Sequence, residues 1–443
     1  LGDAQYGSRA DLADKKYKSA IKSFKLAIDY CDQVHADAYF FIGLMYYNMA
    51  DNPNAVEYLT KFKKFKNDDV NRFSDDHAAK LNQVKSVLPS LVSAEELKTK
   101  LVDFKPFKVK NVSSNASEVL PMLSPDNELI FYSRHVDRKN LGDLVSNYVY
   151  EFTASRRPNI KTDFDGGKSL PIPFNKPEYV DYGGATVSLD NKEMIICACK
   201  MEKVSGQLYK NCDLYSTKFE RNPNDDHKED YLWSELVNLG TGVNTKNGWE
   251  AQPTLSADGN TLYFTAVRPT TQKHDVFISE RQADGTWGAA IPFAAINTVG
   301  DDKAPFLHQD SETMYFVSET SQSRPGYGGL DIYYMRQEKD GSWGEPKNIG
   351  APINSEDDEV GMVVATDGKL AYFSSKKQSA VHNIFAFELY EDARPKKVQL
   401  TRGQLKDDNG DPVKDATIEV AYSGSDKVET FKVNAKAHTK LFS

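Results

Sequence analysis

The chain contains little cysteine, no long apolar run and no excess of positive charge. Among its 443 residues there are four cysteines, and no stretch approaches the roughly eighteen apolar residues that a transmembrane helix needs. The first residues do not show the pattern of a signal peptide. A net charge of −9 makes nucleic acid an unexpected partner. A chain of this length is expected to form two to four domains, on a scale of roughly 100–200 residues per domain.

The four cysteines do not define a single disulfide pattern. Cys197 and Cys199 are two positions apart on one predicted strand, so they share a face and do not easily bridge each other. Cys212 begins the next predicted strand, so either of them could bridge to it, while three buried free thiols are an equal alternative. A zinc site is disfavoured because Cys-Ala-Cys is not the spacing of structural zinc ligands. The sequence leaves the disulfide state open.

Sequence signatures of catalysis are also missing. The chain has no G-x-S-x-G, H-E-x-x-H or G-x-x-x-x-G-K-[ST] motif. The histidines are scattered, and the one charged concentration, Asp225-Asp226-His227, lies in a polar stretch that is typical of a solvated loop. We therefore predict no enzymatic activity, no catalytic residues, no cofactor and no metal site.

The most informative feature that is present is a fivefold repeat. Each copy is a short apolar run, a turn built on an Asp and an alternating strand rich in Tyr and Phe; the copies span 119–134, 184–200, 251–268, 304–320 and 361–376. Each is followed by a third strand, and three by a Trp-containing stretch with a fourth. Units of this length built from strands and turns are typical of β-propellers. We predict a five-bladed β-propeller over residues 104–394.

The last copy lacks a fourth strand of its own. The segment 107–119 resembles 345–360, which closes the preceding blade. We therefore expect residues 107–113 to pair with the strand at 382–389, so that the two ends of the repeat complete one blade and leave no open sheet edge.

The five turn aspartates are predicted to have a structural role. They are Asp126, Asp190, Asp258, Asp310 and Asp367, one in each blade. An Asp in a tight turn accepts hydrogen bonds from backbone N–H groups, and a following Gly supplies a positive φ. Calcium binding or catalysis would require several carboxylates to converge, which one residue per blade does not provide.

Residues 1–103 are predicted to form a helical domain of the tetratricopeptide (TPR) type. Ala20, Phe24 and Ala27 are each 35 positions before Ala55, Leu59 and Phe62, and Gly43 and Tyr46 precede Ala55 at the spacing of a first TPR helix. A generic helical hairpin is the alternative. Four aromatic side chains crowd the helix before Ala55, more than two such units need for their own core; they are Tyr39, Phe40, Tyr46 and Tyr47. We predict that part of this cluster either contacts the propeller or binds another protein of an envelope assembly.

Residues 395–443 differ from the propeller repeat. A strand, a Gly-containing turn at Asp407–Pro412 and a second strand provide too little sequence for an independent core. The segment is therefore expected to pack on the propeller or to begin a domain that continues beyond Ser443.

Two motifs resemble known families. The stretch Ser256–Phe264 resembles TolB-type propeller repeats, and residues 403–420 resemble the opening of a carboxypeptidase-regulatory-like β-sandwich through Gly403, Leu405, Asp407, Gly410, Pro412, Val413 and Ala416. The order of TPR helices, propeller and sandwich is similar to that of a family of outer-membrane-associated proteins of Bacteroidota, which has members in the type IX secretion system. The resemblance thus implies a multidomain α plus all-β protein with a partial β-sandwich at residues 395–443.

Proteins of that family carry a lipidated N-terminal Cys and a C-terminal OmpA-like peptidoglycan-binding domain. Neither is among these 443 residues, so either the chain is trimmed or it is a relative without them, and peptidoglycan-binding residues cannot be assigned.

The resemblance implies a non-enzymatic scaffold in the periplasm, associated with the outer membrane. Its partners would be other envelope or secretion-system proteins, with peptidoglycan bound only through a C-terminal domain outside these residues. Solenoids and propellers offer broad recognition surfaces without chemistry, which favours this function. The alternative is a soluble module whose propeller mouth binds a small ligand or a glycan.

Overall fold

A computed structural model gives the fold of most of the chain. It describes residues 2–31, 33–49, 51–99, 102, 104–138, 146–204, 206–221, 231–246, 248–268, 273–321, 323–376, 379–398, 400–404, 406–411, 413, 416–421, 428–432 and 438–442. The chain divides into two compact units, one of residues 1–101 with 320–327 and one of residues 102–319 with 328–443.

The first unit is helical. Its helices are α1 (Gly2–Tyr30), α2 (Ala36–Asn48), α3 (Asn52–Lys64) and α4 (His77–Thr99). Helix α3 begins at the N-cap Asp51, whose carboxylate accepts a hydrogen bond from the Asn54 N–H, with a Pro in the first turn where its missing N–H costs nothing. Among the described helices, none is sufficiently long and apolar to cross a membrane.

Helices α2 and α3 pack closely because Gly43 has no side chain. A Cβ placed on Gly43 would lie 2.7 Å from Cδ2 of Leu59, so even Ala would force the helices apart. Ala55 and Phe62 complete the buried face of α3. However, α1 runs unbroken from Gly2 to Tyr30, where two complete TPR units would need a second helical pair. The helical domain is observed, and its TPR character stays a prediction.

The second unit contains a five-bladed β-propeller, as predicted. A short strand, β1 (Phe107–Lys108), precedes the first blade. Blade 1 consists of β2 (Glu118–Leu123), β3 (Leu129–Asp137), β4 (Tyr148–Arg156) and β5 (Lys168–Ser169). Blade 2 consists of β6 (Tyr179–Val187), β7 (Glu193–Val204), β8 (Gln207–Arg221), β9 (Tyr231–Trp233), which pairs with the end of β8, and β10 (Val237–Asn238).

The remaining three blades follow the same order of strands. Blade 3 consists of β11 (Trp249–Leu255), β12 (Thr261–Val267), β13 (His274–Glu280) and β14 (Ile291–Pro292). Blade 4 consists of β15 (Asp302–Leu307), β16 (Thr313–Glu319), β17 (Leu330–Arg336) and β18 (Lys347–Asn348). Blade 5 consists of β19 (Val360–Val364), β20 (Leu370–Ser375) and β21 (Asn383–Glu388), with β1 as its fourth strand.

Strand β1 closes the ring in the predicted way. It pairs antiparallel with β21, Phe107 opposite Ala386 and Lys108 opposite Phe385. The N–H of Val109 donates to the carbonyl of Ile384, and the hydroxyl of Ser113 exchanges hydrogen bonds with the backbone of Ile384. The innermost strands of the blades, β2, β6, β11, β15 and β19, lie next to one another around the ring. Apolar clusters between successive blades form the core.

The described part of the tail contains two separate two-stranded ladders. Strand β22 (Leu400–Gln404) pairs with β25 (His438–Phe442), and β23 (Thr417–Ala421) pairs with β24 (Val428–Lys432). Leu405 and Pro412 of the sandwich-like motif lie outside the described residues. The β-sandwich therefore stays a prediction.

Candidate functional site

Every innermost strand of the propeller has a β-bulge at the same place. The pairing with the second strand of the blade shifts there, and one residue has a positive φ: Leu120, Gly184, Gln252, Ala304 and Gly361, with φ of 55°, 94°, 52°, 50° and 59°. A bulge bends a strand and redirects its side chains and backbone groups. The five equivalent bulges therefore turn backbone with a positive φ toward the centre of the ring.

Polar side chains bind the N–H groups that the bulges release from the ladder. The N–H of Ala304 donates to Oε1 of Gln252 at 3.0 Å and to the Thr265 hydroxyl at 2.9 Å, and that hydroxyl donates to the same Oε1 at 2.8 Å. The N–H of Leu120 donates to Oγ of Ser374 at 3.1 Å. These bonds hold left-handed backbone that a Leu or an Ala would otherwise avoid.

The centre of the ring forms a channel, and the side chain of Leu120 narrows this channel at the level of the bulges. Its two methyl groups lie 3.7 Å and 3.4 Å from the positions that Cβ atoms would occupy on Gly184 and Gly361. Glycine suits both positions because it accepts a positive φ, and a Cβ there would only touch Leu120 at an ordinary van der Waals distance.

Next to this narrowing lies a cavity lined by residues from all five blades. The space in it that the centre of a water-sized molecule can reach is about 60 Å³, and part of the cavity is open to solvent. A space of this size holds a few ordered waters or one end of a ligand that extends into solvent. Its walls include the apolar side chains of Met122 and Phe306, and its polar groups are amides and hydroxyls, from Thr186, Gln252, Thr254, Ser256 and Gln309. None of the described residues that line it is a carboxylate, a His, a Lys or an Arg.

One polar atom of the lining has no partner within the described protein. Oε1 of Gln309 is buried, and no hydrogen bond to it is found among the described residues. A buried acceptor without a partner usually costs about 1–3 kcal/mol, and such groups often mark a site for water or a ligand. Nothing in the repeat pattern distinguishes Gln309, so the sequence analysis missed it.

A second set of polar residues lies two positions before the bulges. Four blades have a buried carboxylate there: Glu118, Glu250, Asp302 and Glu359. Each accepts hydrogen bonds from the N–H and the hydroxyl of a Ser or Thr in the preceding loop, namely Ser114, Thr245, Thr298 and Ser355. These carboxylates anchor the loops that connect successive blades.

Glu250 is a carboxylate of this set with a perturbed pKa. Burial raises its pKa to about 7, although hydrogen bonds from Thr245 and the nearby Arg268 guanidinium oppose the increase. The Thr245 hydroxyl lies 2.7 Å from one carboxylate oxygen, and Nε of Arg268 lies 3.9 Å from the same oxygen.

The five turn aspartates lie in the turns between the first and second strands of their blades. Each carboxylate accepts a hydrogen bond from the N–H two residues further on, as the turn chemistry requires. Asp310 has further partners in the Thr313 hydroxyl and the N–H of Lys396. Burial alone would raise the pKa of Asp310, but hydrogen bonds and the adjacent His308 lower it to about 2.

Substitution of Asp258 tests this turn chemistry. Asp258 accepts from the Ser256 hydroxyl at 2.5 Å and from the N–H of Asn260 at 3.0 Å. We expect Asp258→Ala to lower the free energy of unfolding by about 1 kcal/mol or somewhat more. Asp258→Asn keeps an acceptor oxygen and should recover most of the loss in urea unfolding. Calorimetric titration with calcium should show no binding; micromolar binding that Asp258→Ala removes would contradict a purely structural role.

The four aromatic residues predicted to bind a partner lie in the helical unit. Phe40 is buried, whereas Tyr39, Tyr46 and Tyr47 are half-buried and pack against the same core. The ring of Tyr39 lies 5.8 Å from that of Phe65, and the ring of Tyr46 lies 5.9 Å from that of Tyr58. Partner binding by these residues stays a prediction. The Asp225-Asp226-His227 segment lies outside the described residues.

The structure selects one of the cysteine alternatives. Cys199 lies directly opposite Cys212 in the β7–β8 ladder, and the two form a disulfide. Cys197 is a buried free thiol, and Cys31 is an exposed one.

Comparisons with known proteins return only distant structural likeness. No family model matches the chain, and no curated protein sequence matches it. Among similar solved structures is the β-1,2-mannobiose phosphorylase of Listeria innocua, 8% identical over 66% of this chain and 98% of that chain, with a TM-score of 0.41. A family 117 glycoside hydrolase of Zobellia galactanivorans is 11% identical over 66% and 92%, with a TM-score of 0.39. The endo-arabinase of Bacteroides thetaiotaomicron is 11% identical over 65% and 99%, also with a TM-score of 0.39.

These comparisons correct the functional prediction. The three similar structures just described are named as enzymes that act on carbohydrates. They contradict the predictions of a non-enzymatic scaffold and of no enzymatic activity, which are therefore wrong. At these identities and TM-scores, the likeness carries no argument for a particular reaction in this chain.

Proposed function

We propose that the propeller binds a small neutral ligand, such as a short glycan, in its central channel. The observation that carries this proposal is Gln309, which lines the cavity and whose buried Oε1 has no partner among the described residues, so that a small turn of its amide would present this oxygen to a ligand. A ligand hydroxyl that donates to this oxygen would remove the cost of leaving it unsatisfied.

The rest of the lining suits a neutral, hydroxyl-rich molecule. The hydroxyls of Thr186 and Thr254 accept hydrogen bonds from the N–H groups of Leu255 and Leu307 in the neighbouring blades, which fixes their positions. Met122 and Phe306 provide apolar surface of the kind that packs against the C–H faces of a sugar ring. A lining without charged side chains offers nothing to compensate a charged ligand.

Replacing Gln309 by Leu should weaken binding of that ligand. The ligand would be identified by screening an array of neutral oligosaccharides, and its Kd measured by calorimetry. We expect the Kd to rise about tenfold, because one buried hydrogen bond of about 1.4 kcal/mol is lost. Gln337→Leu is the matched control, since the Gln337 amide bonds to the carbonyl of Gly341 in an outer turn of the same blade and does not line the cavity.

A second variant fills the cavity instead of removing a contact. Ala257 lines it from the first turn of blade 3 and is half-buried, so Ala257→Trp should block binding without disturbing the core. The proposal fails if no neutral oligosaccharide binds. It also fails if a bound one retains its affinity in both Gln309→Leu and Ala257→Trp.

We propose separately that residues 1–103 belong to the TPR class and that residues 395–443 begin a β-sandwich. The close approach of Gly43 to Leu59 supports the first, and the Gly410 turn, with a φ of 88°, supports the second. An experimental structure tests both: α2 and α3 should form one TPR unit, and the two tail ladders should pack face to face.

We also propose the periplasm as the location of the chain. The Cys199–Cys212 disulfide supports this, because disulfides persist in oxidising compartments. Cells are quenched with acid, and the proteins are denatured and then alkylated. Cys199 and Cys212 should stay unmodified, whereas in a protein from the reducing cytoplasm both would be alkylated.

A further inference from the structure

Three cysteine sulfurs meet in the interior of blade 2. Cys197 and Cys199 lie on the same face of β7, and Cys212 lies opposite Cys199 on β8. Their three Sγ atoms are all within 4.8 Å of one another, and each residue is at most 2% exposed. Only two of these sulfurs form the disulfide, so a third thiol lies beside a reducible bond.

The surroundings hold the third sulfur in place. A Cβ on Gly183 would lie 2.7 Å from Sγ of Cys197, so the backbone approaches this sulfur as closely as a glycine allows. The N–H of Gly183 also forms a hydrogen bond to it. Apolar side chains of blades 2 and 3 cover the cluster, among them Leu214 and Phe264. The three sulfurs thus share a dry site whose geometry is fixed by strand pairing.

We propose that these three cysteines form a binding site for a soft monovalent metal ion, Cu(I), when the disulfide is reduced. Reduction by a dithiol or a phosphine supplies two electrons and breaks the S–S bond; the sulfurs of Cys199 and Cys212 take up two protons, and the reductant is oxidised. Cu(I) then binds the three sulfurs, and the thiol protons that they lose pass to solvent.

The ligand set favours Cu(I) over zinc. Cysteine thiolates bind both Cu(I) and zinc, but structural zinc sites have four ligands. Within the described part of the chain, this cluster supplies three donor atoms. Cu(I) must displace the protons of the thiols that bind it. Binding should therefore weaken as the pH falls.

The test uses the full chain, reduced under anaerobic conditions and freed of reductant by gel filtration. Cu(I) is added against bathocuproine disulfonate as competing chelator, and sulfur-to-copper charge-transfer absorption is followed in the near ultraviolet. We expect one equivalent of Cu(I) per chain and none in the oxidised protein. Loss of a side chain that only hydrogen-bonds to a metal ligand typically weakens metal binding by about 10–100-fold. Cys197→Ser removes a ligand itself, so the affinity for Cu(I) should fall by at least as much.

The variants separate this site from non-specific thiol binding. Cys31→Ser removes the exposed thiol of the helical unit and should leave the tight site unchanged. Cys197→Ser keeps the Cys199–Cys212 disulfide, so the melting of its oxidised form reports on folding independently of metal. The proposal is overturned if the reduced protein binds no Cu(I), if Cys197→Ser binds it as tightly as the wild type, or if Zn²⁺ displaces Cu(I) from the site.

Discussion

Replacing Val112 by Asp should lower the free energy of unfolding of the propeller by more than about 4 kcal/mol, because an unpaired charge would be buried in a packed core. Val112 is fully buried between blades 5 and 1, in a cluster that includes Tyr132 and Tyr372. It lies in the segment that follows β1 and closes the ring. Loss of this contact should therefore open the joint between the first and last blades, and urea unfolding or the melting temperature would measure the effect.

The matched control lies two residues earlier. The Lys110 side chain is 72% exposed and forms an ion pair with an exposed Asp163, so Lys110→Ala should change the stability by less than about 1 kcal/mol. Deleting residues 104–113 should destabilise the propeller at least as much as Val112→Asp. If the deletion variant melts like the complete chain, the ring does not depend on β1 for its closure.

Glu250 should make the stability of the propeller depend on pH near neutrality. Its folded-state pKa is about 7, above the ordinary value of 4.5, so the folded protein holds this proton more tightly than the unfolded chain does. The resulting stabilisation is complete below pH 4.5 and is lost as the pH rises through 7. A pKa difference of this size corresponds to a loss of up to about 3 kcal/mol in the free energy of unfolding.

The variant Glu250→Gln removes this proton and with it the pH dependence. Urea unfolding of the two proteins at pH 5 and pH 8 gives the comparison. At pH 5 the free energy of unfolding of the variant should be equal to that of the wild type or lower. At pH 8 it should exceed that of the wild type by about 2–3 kcal/mol, because the wild type then carries the buried charge. Parallel pH profiles for the two proteins would show that Glu250 is not the titrating group.

The blades could be predicted from the sequence because their turns are chemically distinctive. Asp258 with Ser256 and Gly259 marks a tight turn, and the alternation after it marks a strand with one buried face. Closure of the ring could also be predicted. Two residues of the segment after β1, Ser114 and Glu118, match Ser355 and Glu359 in spacing and type, and Ser113 takes the place of Asn354. In each case a short sequence pattern was sufficient for the prediction, because the same turn and strand pattern recurs from blade to blade.

The channel could not be predicted in this way. Leu120, Gln252 and Ala304 have positive φ values, but only Gly at the equivalent positions of blades 2 and 5 carries a sequence signal for that conformation. The left-handed backbone of Leu120 and Ala304 is held by hydrogen bonds from neighbouring blades. Gln309 likewise becomes notable only when its surroundings leave its oxygen unsatisfied. The choice of Cys199 over Cys197 as the disulfide partner depends on the register of β7 and β8, which the sequence alone did not fix.

Closure by β1 also has a consequence for synthesis on the ribosome. Ser113 bonds to Ile384, 271 positions later, so the fourth strand of blade 5 emerges long before the strand that it must join. Until then, β1 and the open side of blade 1 have no permanent neighbour, and blades 1 to 4 can form only an incomplete ring. Contacts so distant in sequence are slow to form, and unpaired strands are vulnerable to aggregation during the delay. Arrest of translation between blades 4 and 5 should therefore leave a protease-sensitive nascent chain that becomes resistant only after β21 has left the exit tunnel.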